Sequence, residues 1–191
     1  MVKVRLYLVR HGKTMFNTIG RAQGWSDTPL TAEGERGIQE LGIGLRESGL
    51  QFERAYSSDS GRTIQTMGII LEELRLQGKI PYRMDKRIRE WCFGSFDGAY
   101  DGDLFMGIIP RIFNVDHVHQ LSYAELAEGL VEVDTAGWAE GWEKLSGRIK
   151  EGFEAIAKEM EEQGGGNALV VSHGMTIGTI VYLINGMHPH G

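Results

Sequence analysis

The chain has 191 residues, is 41% hydrophobic and 24% charged, and carries a net charge of −6: enough for one domain, or one domain with an insert, around a sizeable core. The acidic balance argues against nucleic acid or an anionic membrane as the main partner, and no apolar run approaches the roughly 20 residues of a membrane helix. The apolar stretch behind Lys3 and Arg5 is cut short by Arg10, so it is no signal peptide, and Cys92, the only cysteine, excludes an internal disulfide, fits a reducing cytoplasm and reads as an ordinary core or cleft residue.

Val2 to Val9 reads as a buried strand, rich in Val, Leu and Tyr, which gives way to Arg10-His11-Gly12. Gly12 to Leu30, with Gly20, Gly24 and Pro29, reads as a long loop of the kind that carries function. Thr31 is placed to cap a helix, with Glu33 and Glu35 in its first turn, an inner face of Ile38, Leu41, Gly42 and Leu45, and an end at Gly49. Ala55 to Ser58 is a short strand. Ser60 to Gln77 is a second helix, on the spacing of Ile64, Met67, Ile70, Leu71 and Leu74. Ile80 to Met84 is a third strand.

The stretch from Tyr100 to Trp138 is weakly patterned and reads as a lid insert over about 95–137, with short helices near Asp103–Ile109 and Tyr123–Leu130. A long helix from about Trp138 to Glu162 follows, with the stripe Trp142, Leu145, Ile149, Phe153, Ile156 and Met160, ended by Gly164-Gly165-Gly166. Ala168 to Ser172 is a buried strand leading into Ser172-His173-Gly174, and Gly174 to Ile184 is a final helix. The tail Met187-His188-Pro189-His190-Gly191 reads as a loop in mid-course. Strands alternating with helices predict an α/β fold, a three-layer αβα sandwich on a mainly parallel sheet. Right-handed crossovers would put all strand C-termini on one edge, where ligands of such sheets bind. His11, the Ser57–Arg62 turn and His173 would meet there.

These residue types point to phosphoryl transfer. An arginine beside a histidine suits an anion such as phosphate. Neutral His11 can attack phosphorus, with its other ring nitrogen held by a hydrogen bond, for instance to a backbone carbonyl. Arg62 at a helix start opposes the helix dipole, which an anionic ligand would explain. His173, protonated, would bind phosphoryl oxygens. Glu90 beside Trp91 and Phe93 would be desolvated, its pKa raised, and so fit to protonate the leaving oxygen and then activate water. Taken singly, each has a plainer use: a loop histidine, a surface arginine, a capping or core histidine, a glutamate paired with Arg87 or Arg89.

Taken together the motifs resemble those of the histidine phosphatase superfamily, in the branch of cofactor-dependent phosphoglycerate mutase and its phosphatase relatives. They run in order over nearly the whole chain: Leu8-Val9-Arg10-His11-Gly12-Lys13-Thr14 with Asn17; Gln23-Gly24-Trp25-Ser26-Asp27-Thr28-Pro29-Leu30-Thr31 with Gly34; Ser57-Ser58 with Arg62 and Thr66; Arg89-Glu90 with Gly94 and Gly98; and Val171-Ser172-His173-Gly174. The resemblance implies a phosphoglycerate mutase-like sandwich with an inserted lid, spanning 1–191 as one domain. It implies His11 as the phosphorylated nucleophile, Arg10, Arg62 and His173 as the phosphate pocket, Glu90 as proton donor, Asn17, Gln23 and Gly24 as pocket lining, and no metal or other cofactor. Lys13 departs from the pattern, standing where glutamate is common and adding positive charge at the pocket. The C-terminal strand region that relatives carry past the second histidine motif is absent from this sequence. His117-x-His119 and His188-x-His190 read as solvated loop histidines.

Between Trp91 and Glu143 the only Arg or Lys is Arg111, among acids from Asp97 to Glu143. Such a lid should repel polyanions, and Phe96, Tyr100, Leu104, Phe105, Met106, Ile108, Ile109, Ile112 and Phe113 offer an apolar wall. The expectation is a phosphatase for a small phosphomonoester of modest charge. A phosphoglycerate mutase is the alternative, and a non-catalytic phospho-ligand sensor the second. The same apolar residues would also suit a homodimer contact.

Overall fold

A computed structural model describes residues 1–186. The runs Val4–Arg10 (β1) and Gly166–Ser172 (β4) pair in parallel from Val4 opposite Gly166 to Arg10 opposite Ser172. Arg54–Ser57 (β2) lies parallel to β4 on its other side, and Tyr82–Met84 (β3) parallel to β2, giving the order β1-β4-β2-β3. Each of these three strand pairings is parallel, as the alternation of strands and helices predicts.

β4 is covered on both faces, and its period-two side chains sort the core into two layers. Leu169 and Val171 pack with Ala55, Ile38, Met67 and Ile70 beneath helices Ala32–Glu47 (α2) and Gly61–Glu73 (α3). Ala168 and Val170 pack with Tyr56, Ile149, Phe153, Ile156 and Ile180 beneath Trp142–Glu162 (α6) and Gly174–Asn185 (α7). Each fully buried aliphatic side chain of this kind contributes about 1.5–3 kcal/mol.

The element ends differ from the sequence reading for local reasons. Residues 12–30 are not all loop. Met15–Ile19 (α1) is a one-turn helix in which Thr14 and Asn17 exchange capping bonds, closed by Gly20 at φ 69°; a capping box on five residues leaves no apolar periodicity to read. Thr31 caps α2 as expected, accepting from Gly34 N at 3.0 Å, while Leu41, assigned to its inner face, is 36% exposed. α3 stops at Glu73, and Arg75 turns left-handed at φ 58°.

α6 begins at Trp142, not Trp138, because carboxylates hold the preceding backbone out of the helix. Asp134 accepts from the amides of Ser95, Ala136, Trp138 and Ala139, and Glu128 from Trp142. Within the lid, Gly102–Ile108 forms a π-helical segment running into Ile109–Phe113 (α4), and Tyr123–Val133 (α5) follows behind a Ser122/Glu125 capping box. Leu104, Ile109, Leu126 and Leu130 join the same core as α6, so the lid is packed onto the body. His188 and His190 lie outside the described residues.

Candidate active site

The register of the sheet makes the site. β1 and β4 are neighbours ending at Arg10 and Ser172, so the next residues, His11 and His173, lie side by side, with ring centroids 5.4 Å apart at 64°. β2 ends opposite Val171 and turns through Ser58 into α3, which brings Arg62 between them.

The ring states follow from the hydrogen bonds. His11 Nδ1 lies 2.7 Å from the Gly12 carbonyl, which only accepts, so Nδ1 carries the proton and Nε2 keeps its lone pair. Arg62 Nε donates to that Nε2 at 3.3 Å. Burial is the main cause that lowers the His11 pKa from 6.5 to about 4, with Arg62 and Arg10 acting the same way against the Gly12 bond. His11 is therefore a neutral imidazole with its lone pair toward the site, the state expected of the nucleophile.

Arg62 is fully buried, and its five N–H groups are all engaged. Nε meets His11; Nη1 donates to Ser26 O at 2.8 Å and Asp27 Oδ1 at 2.9 Å; Nη2 donates to Gly24 O at 2.7 Å and His173 Nδ1 at 3.0 Å. Asp27 also accepts from the Arg62 amide. This differs from the surface arginine that α3 alone would suggest: the guanidinium bridges the two histidines.

His173 departs from the charged state expected for it. Arg62 donates to its Nδ1, so its proton sits on Nε2 and goes to Ser58 Oγ at 2.7 Å. Burial, then the charge of Arg62, hold its pKa well below the ordinary value, so His173 is neutral here.

Glu90 pairs with neither Arg87 nor Arg89. Arg87 holds Asp85, and Arg89 binds Asp59 through two bonds at 2.7 and 2.6 Å while stacking over Trp25. The Glu90 carboxyl accepts from the amides of Trp91, Met175 and Thr176 at the start of α7. Burial nonetheless pushes its pKa up, outweighing those donors. The 87–90 backbone is fixed from behind by Arg148, which donates to the carbonyls of Arg87, Arg89 and Glu90 and is held by Glu140.

A cavity of about 650 Å³ opens here, lined by Arg10, His11, Asn17, Gln23 and Glu90 at one end, while Arg62 and His173, both expected in the phosphate pocket, are fully buried and do not line it. Gly174 lies beside the Arg10 guanidinium, where a Cβ would come into ordinary contact with Nε at 3.4 Å. Asn17 Oδ1 is taken by Thr14, and Gln23 Oε1 by Thr28, which fixes both amides. Gly24 does not line the cavity: it lies behind it, giving its carbonyl to Arg62 and its amide to Asp97. Lys13 also faces away, paired with Glu33 at 3.0 Å.

Sequence reading missed Asp27, Ser58 and Thr176 as the groups that set Arg62, His173 and Glu90, and Arg21 as a cavity residue. Only Asp27 carried a signal, as an acid in a polar turn awaiting a cation. Of the expected apolar wall, Phe105 and Met106 line the cavity while Leu104 and Ile109 are buried in the core; Phe93, Val118, Leu121, Leu126 and Met175 complete it. Among the lid acids Asp97, Glu125, Glu128 and Asp134 serve backbone amides, and Asp101 is the one that reaches the cavity. His117 and His119 are solvent-exposed, as expected, and also line its rim. Among the described residues no three His, Cys, Asp or Glu side chains cluster as a metal site, and no helix is long and apolar enough to cross a membrane.

Comparison with known proteins agrees with this geometry. A family model for the histidine phosphatase superfamily (branch 1) matches residues 6–191. A Salmonella choleraesuis protein named "Probable phosphoglycerate mutase GpmB" is 32% identical over 186 residues, covering 96% of this chain and 76% of that protein. The crystal structure of phosphoglycerate mutase from Bacillus anthracis superposes with a TM-score of 0.90 at 36% identity, covering 97% of this chain and 82% of that one. The alpha-ribazole phosphatase of Shigella flexneri shares the fold, with a TM-score of 0.67 at 24% identity over 97% of this chain and 81% of that one. With its two strand-end histidines joined by a buried arginine, this chain belongs to the histidine phosphatase superfamily.

Proposed function

We propose that this chain is a phosphomonoesterase that works through a phosphohistidine on His11 and needs no metal. The observation that carries the reading is the pairing of a neutral His11, its Nε2 lone pair directed by the Gly12 carbonyl bond, with a buried Glu90 whose pKa burial raises, in one cavity. Nε2 attacks phosphorus, the ester P–O bond breaks, and the Glu90 carboxyl gives its proton to the leaving oxygen. Water then loses a proton to Glu90 and attacks phosphorus, the P–N bond breaks, and neutral His11 returns. Arg10 and Arg62 stabilise the equatorial oxygens. Arg62 has no idle N–H, so a bound phosphoryl group takes over its bonds to the two histidines, and proton uptake on His173 Nδ1 would let that ring donate as well.

The names of the relatives favour a second reading, a phosphoglycerate mutase. The fold does not choose, since it serves both a mutase and an alpha-ribazole phosphatase. What supports hydrolysis is the cavity lining: among the described residues Arg10 and Arg21 are its only arginines or lysines, and the exposed Arg111 does not reach it. The test is phosphate release from a panel of phosphomonoesters in the presence of a chelator, with a coupled assay for conversion of 3-phosphoglycerate to 2-phosphoglycerate. Release without isomerisation supports the phosphatase. Isomerisation, or activity lost to the chelator, overturns it, and tight phosphate binding without turnover would mark a sensor.

A further inference from the structure

The cavity is far larger than a phosphoryl group requires. At about 650 Å³ it lies in the range that encloses a whole small molecule. Away from His11 its wall turns apolar. Phe93 and Phe105 meet edge to face, with centroids 5.5 Å apart at 81°, and form a fixed corner. Phe93 is anchored there by its amide, which donates to Asp97 at 2.9 Å. Met106, on the π-helical segment, lines the same wall yet is 81% exposed, a large apolar side chain that a ligand would cover.

Two charged side chains line this end of the cavity with no ion pair among the described residues. Arg21 keeps its charge but is held in place, with its guanidinium 4.1 Å from the Tyr100 ring centroid and donating to Gly98 O at 2.7 Å. Asp101 also lines the cavity and makes no ion pair among the described residues. His117 and His119 are among the lining residues.

We propose that the leaving alcohol of the substrate bears a ring and has no anionic group of its own, the ring seating on Phe93, Phe105 and Met106 while Asp101 selects a neutral or cationic substituent. This rests on the phosphomonoesterase reading above. A docked ring makes edge or offset contacts with the two phenyl groups and a sulfur contact with Met106; a short polyol leaves that wall wet. A carboxylate on the ring would meet Asp101 in a partly desolvated site, where like charges repel more than in water.

The test uses the intact chain and four esters of alkyl alcohols, so that the leaving oxygens are alike: benzyl phosphate, its 4-aminomethyl and 4-carboxy derivatives, and glycerol 2-phosphate. The benzyl ester should exceed glycerol 2-phosphate in kcat/KM by about tenfold or more, the size expected for burying a ring. The aminomethyl ester should match or exceed the benzyl ester, and the carboxy ester should fall about tenfold below it. Met106→Ala should shrink the ring preference, and Asp101→Asn the spread between aminomethyl and carboxy esters. Equal kcat/KM for glycerol 2-phosphate and the benzyl ester, or a charge spread that survives Asp101→Asn, overturns the proposal while leaving the phosphomonoesterase standing. If no ester turns over and His11 takes up no labelled phosphoryl group, the phosphomonoesterase reading falls and takes this one with it.

Discussion

The two ends of the cavity are built by different means. The phosphate end is assembled by topology: parallel strands in register deliver His11 and His173 to one edge, and the helix after β2 delivers Arg62. The lid end is assembled by local capping, with Asp134, Glu128 and Glu125 each spending its carboxylate on nearby amides. Residues at the first end should therefore act on the chemistry, and residues at the second on selectivity or local order. The largest effect is expected from His11→Ala, which should cut kcat for every accepted ester by about 10⁴-fold or more and abolish phosphoryl labelling. Substantial turnover in that variant would remove His11 as nucleophile and dissolve the contrast.

Next in size is Glu90→Gln. Loss of a general acid should lower kcat by about 10²–10⁴-fold. The pH profile separates proton transfer from a structural defect. Free His11 must be neutral, and its pKa is lowered to about 4, so kcat/KM should rise as pH climbs through about 4, not 6.5. Glu90 must be protonated, and burial raises its pKa, so an alkaline limb should follow. Glu90→Gln should delete the alkaline limb and keep the acidic one. Stability obeys the same logic: since the folded His11 pKa is depressed, the unfolded chain binds the proton first, and stability held above pH 6.5 is lost as pH falls toward about 4. A melting series of His11→Gln against the parent should show a shallower loss in that window.

Asp27→Ala sharpens the comparison from within the phosphate end. It removes the only carboxylate that pairs with the buried Arg62 among the described residues and should cost about 1–3 kcal/mol of stability. The loosened guanidinium should raise KM for all esters alike, since the shared phosphoryl group feels the change. A KM change confined to some esters would place Asp27 at the lid end instead.

What can be read from the amino-acid sequence follows the same division. Short apolar runs such as Leu6-Tyr7-Leu8-Val9 and Ala168-Leu169-Val170-Val171 fix the strands, and alternation with helices fixes their parallel arrangement, so the meeting of His11, Arg62 and His173 is legible in the sequence itself. The protonation of His173 is not, because it depends on Ser58 and Arg62 approaching its two nitrogens from a different strand and helix. The lid resists reading because its order comes from single carboxylates whose partner amides carry no pattern. Trp138 looks helical by spacing, yet its amide bonds to Asp134 and its ring stands 68% exposed. Taken as a field, the lid acids suggest repulsion of polyanions; in the fold, Asp97, Glu125, Glu128 and Asp134 are engaged by backbone amides and Glu140 by Arg148, and Asp101 is the lid acid that lines the cavity.

Asp134→Ala should accordingly leave kcat within about twofold and act on order. It frees four amides at once, so a loss of about 1 kcal/mol or somewhat more is expected, as for a helix cap. Its site of action should show as faster amide exchange over residues 134–139 and not at the strand ends. Spread of the effect to His11 or His173 would show that the lid and the phosphate end are one mechanical unit.

The smallest effect is expected at Lys13, although it lies two positions from His11. By sequence it adds a cation to the phosphate pocket. In the fold, its side chain turns to the outer face and meets Glu33 across a half-exposed gap at 3.0 Å, while Gly34 packs against the Lys13 backbone closely enough that a Cβ would collide with its carbonyl. The backbone of Lys13 is thus held, and its charge is spent outside the cavity. An exposed pair of this kind contributes about 0–1 kcal/mol, and Lys13→Ala should change neither KM for a phosphomonoester nor its salt dependence by more than about twofold. A larger rise in KM would mean that the ammonium swings inward when phosphate binds, and the boundary of the phosphate end would have to be redrawn to include the loop that follows it.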